Sequence, residues 1–139
     1  MELVDADRIV RRIFVEGINN GDFAGVAEHV SDSYVDHSPI PAAGPGPDGF
    51  AGRIKGLKAA FADLSIEIND LAVSNDRIWF RWTQTGHHSG PFAGLEPTGR
   101  QIRVEGINLE VMDGEKVVEH FSLFDRLGLM HQLNPPPTK

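Results

Sequence analysis

Two periodicities divide this chain, and their order along it is its strongest constraint on fold. Between Asp5 and Phe61 apolar residues return at helical spacing, while between Ser65 and Phe124 they alternate along short runs rich in β-branched and aromatic side chains. Ile9, Val10, Ile13, Phe14 and Ile18 define a first helix, and Asn19-Asn20-Gly21-Asp22 reads as its end and the cap of a second carrying Phe23, Val26, Ala27 and Val30. Tyr34-Val35-Asp36-His37 is short and extended. Four prolines and two glycines between Ser38 and Asp48 forbid regular structure and make a loop long enough to act as a lid. Phe50, Ile54, Leu57 and Phe61 mark a third helix.

The strands follow. Residues 65–69 and 78–85 flank the Asn75-Asp76 turn, residues 86–99 form a Gly/Pro-rich connection, and 102–112 and 117–124 flank Asp113-Gly114. A helical turn over 126–133 precedes a frayed tail at 135–139. Helices first, then strands joined by hairpins, predict an α+β fold in a single domain over residues 1–134.

Composition narrows the function. Thirteen Lys and Arg against twenty Asp and Glu give a net charge of -7 with the basic residues scattered, which offers no footprint for nucleic acid. There is no cysteine, so thiol nucleophiles, thiolate metal sites and disulfides are excluded. The six histidines show no metal-ligand spacing, and neither a metal nor another cofactor is expected. No long apolar run or basic leader begins the chain, so we expect a cytoplasmic protein away from membranes.

Several segments together carry a family resemblance: Asp36-His37 before the loop, Phe61-Ala62-Asp63-Leu64, Gly86-His87-His88-Ser89-Gly90 with Pro97-Thr98-Gly99-Arg100, and Asp113-Gly114 leading to Glu119-His120-Phe121, Asp125 and Gln132-Leu133. In this order the chain resembles the SnoaL-like polyketide or ester cyclases of the nuclear transport factor 2-like superfamily. The resemblance implies a cone of strongly bent antiparallel sheet, covered by the N-terminal helices, around a pocket for an apolar small molecule. It also implies a homodimer formed through the sheet.

The family's cyclases close rings by intramolecular aldol chemistry with one positioned acid/base, which the resemblance places on a His-Trp-Asp triplet. Here the triplet reads His120-Phe121-Ser122, so the carboxylate position holds Ser122, a departure that counts against the standard mechanism. Gly106 and Asn108 are the expected partners on the neighbouring strand. Two strand phases compete for the pocket. One carries Ile107, Leu109, Val111, Phe121 and Leu123 with Glu119 and Asp125; the other carries Asn108, Glu110, His120, Ser122 and Phe124. Candidate catalytic residues are therefore His120, Asp125 and Ser122, and candidate ligand contacts are His37, His88, Asn108, Phe121 and Trp82. Asp125 has a second role open to it, capping the terminal helical turn. Three functions are compatible with this pattern: a cofactor-independent acid/base enzyme on an apolar carbonyl compound, a non-catalytic ligand-binding or dimerisation module, and an isomerase or dehydratase.

Overall fold

The computed structural model describes residues 1–38 and 44–137. Its first helix runs as α1 (Leu3–Val10), a single π-helical turn (Arg11–Val15) and α2 (Glu16–Asn20). Gly21, at φ 66°, ends it in the left-handed conformation that lacks a penalty only for glycine. The short α3 (Ala24–His29) stops one residue before Val30, which the helical spacing had assigned to it. Val30 instead opens β1 (Val30–Asp36), a strand longer than the four extended residues expected. After the described part of the 38–48 connection, α4 (Gly46–Ala60) follows. The suggested lid centres on residues 39–43, outside the described residues.

Four strands then form a continuous antiparallel meander: β2 (Ser65–Ser74), β3 (Arg77–His87), β4 (Gln101–Asp113) and β5 (Lys116–Phe124). Both tight turns place a positive φ at their first free residue, Asn75 at 54° and Gly114 at 59°. β1 adds to the other side of β5, in parallel, giving the order β1-β5-β4-β3-β2. This parallel edge was not part of the hairpin expectation. α5 (Arg126–Leu133) closes the chain.

The helices lie against one face of the sheet, and the main core fills the space between. Ile9, Ile13, Phe14 and Ile18 from the first helix, with Phe50 and Ile54 from α4, meet Ile78, Phe80 and Val117 from the sheet, all at 5% exposure or less. On β4 the inward residues are Ile102, Val104, Gly106, Asn108, Glu110 and Met112, and on β3 Ile78, Phe80 and Trp82. A bulge opposite Val111 and Met112 shifts the phase of β5, so that Val117, His120 and Ser122 all face inward. Among the described residues no helix is long and apolar enough to cross a membrane.

Candidate active site

Register sets the site. Across β4 and β5, Glu110 pairs with His120 and Asn108 with Ser122, so four polar side chains form a square on the face that the helices cover. All four are buried, Glu110 at 1% and His120 at 2% exposure. An uncompensated buried carboxylate would be prohibitive, and this one is compensated: His120 Nδ1 lies 2.7 and 2.8 Å from the two Glu110 oxygens. Burial pushes the Glu110 carboxyl up, with His120 opposing as charge and hydrogen-bond donor.

Asn108 joins this pair to the sheet. An indole nitrogen can only donate, so the 2.8 Å contact from Trp82 Nε1 assigns Oδ1 of Asn108 as acceptor. Nδ2 then points toward Glu110 at 3.5 Å, a long contact. Trp82 is held in turn by Gly106, its register partner on β4. A β-carbon at Gly106 would stand 2.3 Å from the indole ring and 2.7 Å from the Leu123 carbonyl oxygen, so only glycine admits the ring here.

Two small adjoining cavities open above the square, of about 60 and 50 Å³. Arg53, Leu57, Trp82, Gln84 and Ser122 line both. The first extends to Phe61, Phe92 and Phe124, and the second to Phe14, Phe50, Asn108 and His120. With Nδ1 engaged by Glu110, Nε2 is the nitrogen His120 can offer to a ligand. Phe50 and Phe14 flank the imidazole, with ring centroids at 5.2 and 6.1 Å.

A second polar pair sits at the same end. Arg53 from α4 reaches Asp36 on β1 at 3.3 Å, with side chains 12% and 9% exposed. Burial raises the Asp36 carboxyl, but hydrogen bonds from the Ser38 hydroxyl (2.5 Å) and amide (2.8 Å), followed by the charge of Arg53, outweigh it and hold the group below the ordinary aspartate value. The Nε–H of Arg53 and the hydroxyl of Tyr34 are buried without a hydrogen-bond partner among the described residues.

Of the residues nominated from sequence, His120, Ser122, Asn108 and Trp82 come together at these cavities. The other four do not. Phe121 lies on the opposite face of the sheet, where His37 stacks on it at 4.3 Å and bonds Glu119 at 3.1 Å, because β5 alternates and its neighbour His120 points inward. His88 is fully buried but clips the 88–100 connection: its Nδ1 accepts from the Thr98 amide at 3.2 Å, and its ring packs against Phe61, which lines the first cavity. Asp125 is the N-cap of α5, accepting from the Gly128 amide at 2.8 Å. Glu110 and Arg53 were not nominated. The signal for Glu110 was only its place two residues from Asn108 in the same strand phase: counted on from Asp113 opposite Lys116, a regular hairpin sets Glu110 against Glu119, and the bulge between Val111 and Met112 is what brings His120 opposite it. Arg53 stands one position before Ile54, on a helix of weak apolar bias, and carried no such signal.

No functionally curated protein matches the chain in sequence. Solved structures do match it in fold. TsrD from Streptomyces laurentii superposes with a TM-score of 0.87 at 25% identity, covering 98% of this chain and 99% of its own. A candidate polyketide cyclase from Acidithiobacillus ferrooxidans gives 0.83 at 27% identity, with 96% and 97% coverage. AclR, a candidate hydroxylase from Streptomyces galilaeus, gives 0.83 at 25% identity, covering 99% of this chain and 86% of its own. The family model for SnoaL-like polyketide cyclases matches residues 8–133, almost the whole of the α+β fold just described. With its bent sheet, its helical cover and its enclosed polar square, this chain belongs to the SnoaL-like polyketide cyclase family.

Proposed function

We propose that this protein is an acid/base enzyme acting on an apolar carbonyl compound, with His120 as the catalytic base and acid and Glu110 as its positioning residue. One observation carries the reading: a fully buried carboxylate grips one imidazole nitrogen beside a cavity that the same imidazole lines. A carboxylate that accepts from Nδ1–H fixes the tautomer, leaves the Nε2 lone pair toward the ligand, and stabilises the imidazolium that forms when Nε2 takes a proton. Such a pair replaces the carboxylate that Ser122 cannot supply.

In the aldol-type ring closure, Nε2 removes a proton from the carbon between two carbonyl groups, and the electron pair moves onto oxygen as an enolate. That carbon then bonds to a second carbonyl carbon of the same molecule, and the new alkoxide oxygen takes the proton back from Nε2. Atoms and charge balance without a further reactant. The apolar walls, Phe14, Phe50 and Leu57, exclude water from the enolate.

The test is deuterium exchange into, and ring closure of, a panel of 1,3-dicarbonyl compounds by the full chain and by His120→Gln. The expected loss is about 10²- to 10⁴-fold in exchange rate. Exchange unchanged in the variant removes His120 from the role, and tight binding without exchange by the wild type supports the ligand-binding module instead.

The homodimer belongs to this proposal as well. On the sheet face away from the helices, Trp79, Ile107 and Leu123 are 44%, 50% and 74% exposed, an apolar surface of the kind that second copies cover.

A further inference from the structure

Arg53 brings a planar, five-donor guanidinium to the site, and it lines both cavities. Yet among the described residues Asp36 takes one of those donors, at 3.3 Å, and the Nε–H is buried with no acceptor. Buried donors in native proteins are almost always satisfied, so an orphan beside a cavity marks the place of an absent acceptor. The acceptor's character follows from the charges present. Asp36 already balances Arg53, and Glu110 beside a neutral His120 base adds no positive charge, so the resting site has no excess positive charge to hold a permanent anion. It is built for a neutral ligand on which negative charge appears transiently.

We infer that Arg53 is the oxygen receptor of this cavity, donating to the carbonyl oxygen of a neutral, enolisable ketone or ester and holding the charge that develops there as the enolate. The inference rests on the reading of His120 as base and extends it. His120 Nε2 receives the proton from carbon, the electron pair forms the carbon–carbon double bond of the enolate, and the oxygen that gains the charge faces the guanidinium. Asp36 is the positioning residue for Arg53, anchored itself by Ser38. A donor preorganised toward developing charge in an apolar enclosure is among the strongest catalytic devices available to a protein.

The probe is 4-nitrophenol, a single ring suited to these small cavities, whose phenolate mimics the enolate and absorbs visibly where the phenol does not. Titrated against the full chain, bound 4-nitrophenol should ionise at lower pH than free, with about a tenfold preference for the phenolate, as one charge-assisted hydrogen bond provides. Arg53→Met should lose the preference. Should that variant fail to fold, Arg53→Lys, which keeps the charge without the planar fork, should weaken it. His120→Gln should retain it while losing proton exchange. A probe bound as the neutral phenol, no spectral change at millimolar probe, or a preference unaltered in the foldable Arg53 variant overturns the inference. An Arg53-dependent phenolate preference in a protein that exchanges no proton would support Arg53 and reject the role of His120 instead.

Discussion

Glu110 and His120, direct partners across β4 and β5, meet through both carboxylate oxygens while both side chains are almost wholly removed from solvent. Removing one member leaves the other buried without its counterpart, which costs more than the pair contributes while intact. Glu110→Ala should therefore lower stability by roughly 3–5 kcal/mol, read as a fall in the urea midpoint with an unchanged slope.

The same pair gives stability a pH signature. Folding raises the Glu110 pKa, so its contribution is fully present below the ordinary glutamate value of 4.5 and is lost as pH climbs through the raised value. Glu110→Gln lacks this titration. The stability of the wild type relative to Glu110→Gln should thus decline as pH rises from 4.5 through the raised value and level off beyond it, measured by urea unfolding at successive pH. A difference that grows with pH would show that His120 outweighs burial.

Asp36 behaves in the opposite sense. Its folded pKa is lowered, so its stabilisation is present above the ordinary aspartate value of 3.8 and is lost as pH falls through the lowered one. Asp36→Asn leaves Arg53 charged and mostly buried beside a neutral amide, at a cost on the order of 3 kcal/mol near neutral pH. Thermal unfolding should show the wild type and Asp36→Asn converging in strong acid.

Asp125 separates capping from catalysis. Asp125→Ala removes the acceptor for the Gly128 amide and should cost about 1 kcal/mol of stability. Turnover should stay at the wild-type level, since the carboxylate lines neither cavity. A collapse of activity with intact stability would return Asp125 to the reaction.

The exposed apolar face is testable by mass alone. If Trp79, Ile107 and Leu123 meet a second copy, Ile107→Lys with Leu123→Lys should turn a dimer in analytical ultracentrifugation into a monomer. A wild-type monomer at high concentration would dismiss the homodimer.

What the sequence disclosed follows from where its patterns are local. Ile9, Ile13 and Phe14 announce a buried helix stripe, and Asn75 and Gly114 announce hairpins, because each signal spans a few residues. The pairing of β1 with β5 joins Val30 to Val117, and no periodicity reports a parallel contact across so long a separation. The choice of face was hidden for a different reason. Ile107, Leu109, Phe121 and Leu123 look like a core stripe, whereas the residues that turn inward are Asn108, Glu110, His120 and Ser122. Hydropathy judges each residue singly and misses that a carboxylate and an imidazole become tolerable inside once they face one another. Phe121 was misplaced by this, and Glu110 was overlooked.

Gly106 touches no ligand space, yet it governs how much of that space exists. Trp82 walls both cavities and anchors Asn108 only because the strand beside it carries no side chain at that point. One added methyl group would act as a wedge, swinging the indole inward and detaching the amide from its donor. The capacity of this pocket is thus adjustable from behind its wall, by a position that a survey of ligand-facing residues would pass over.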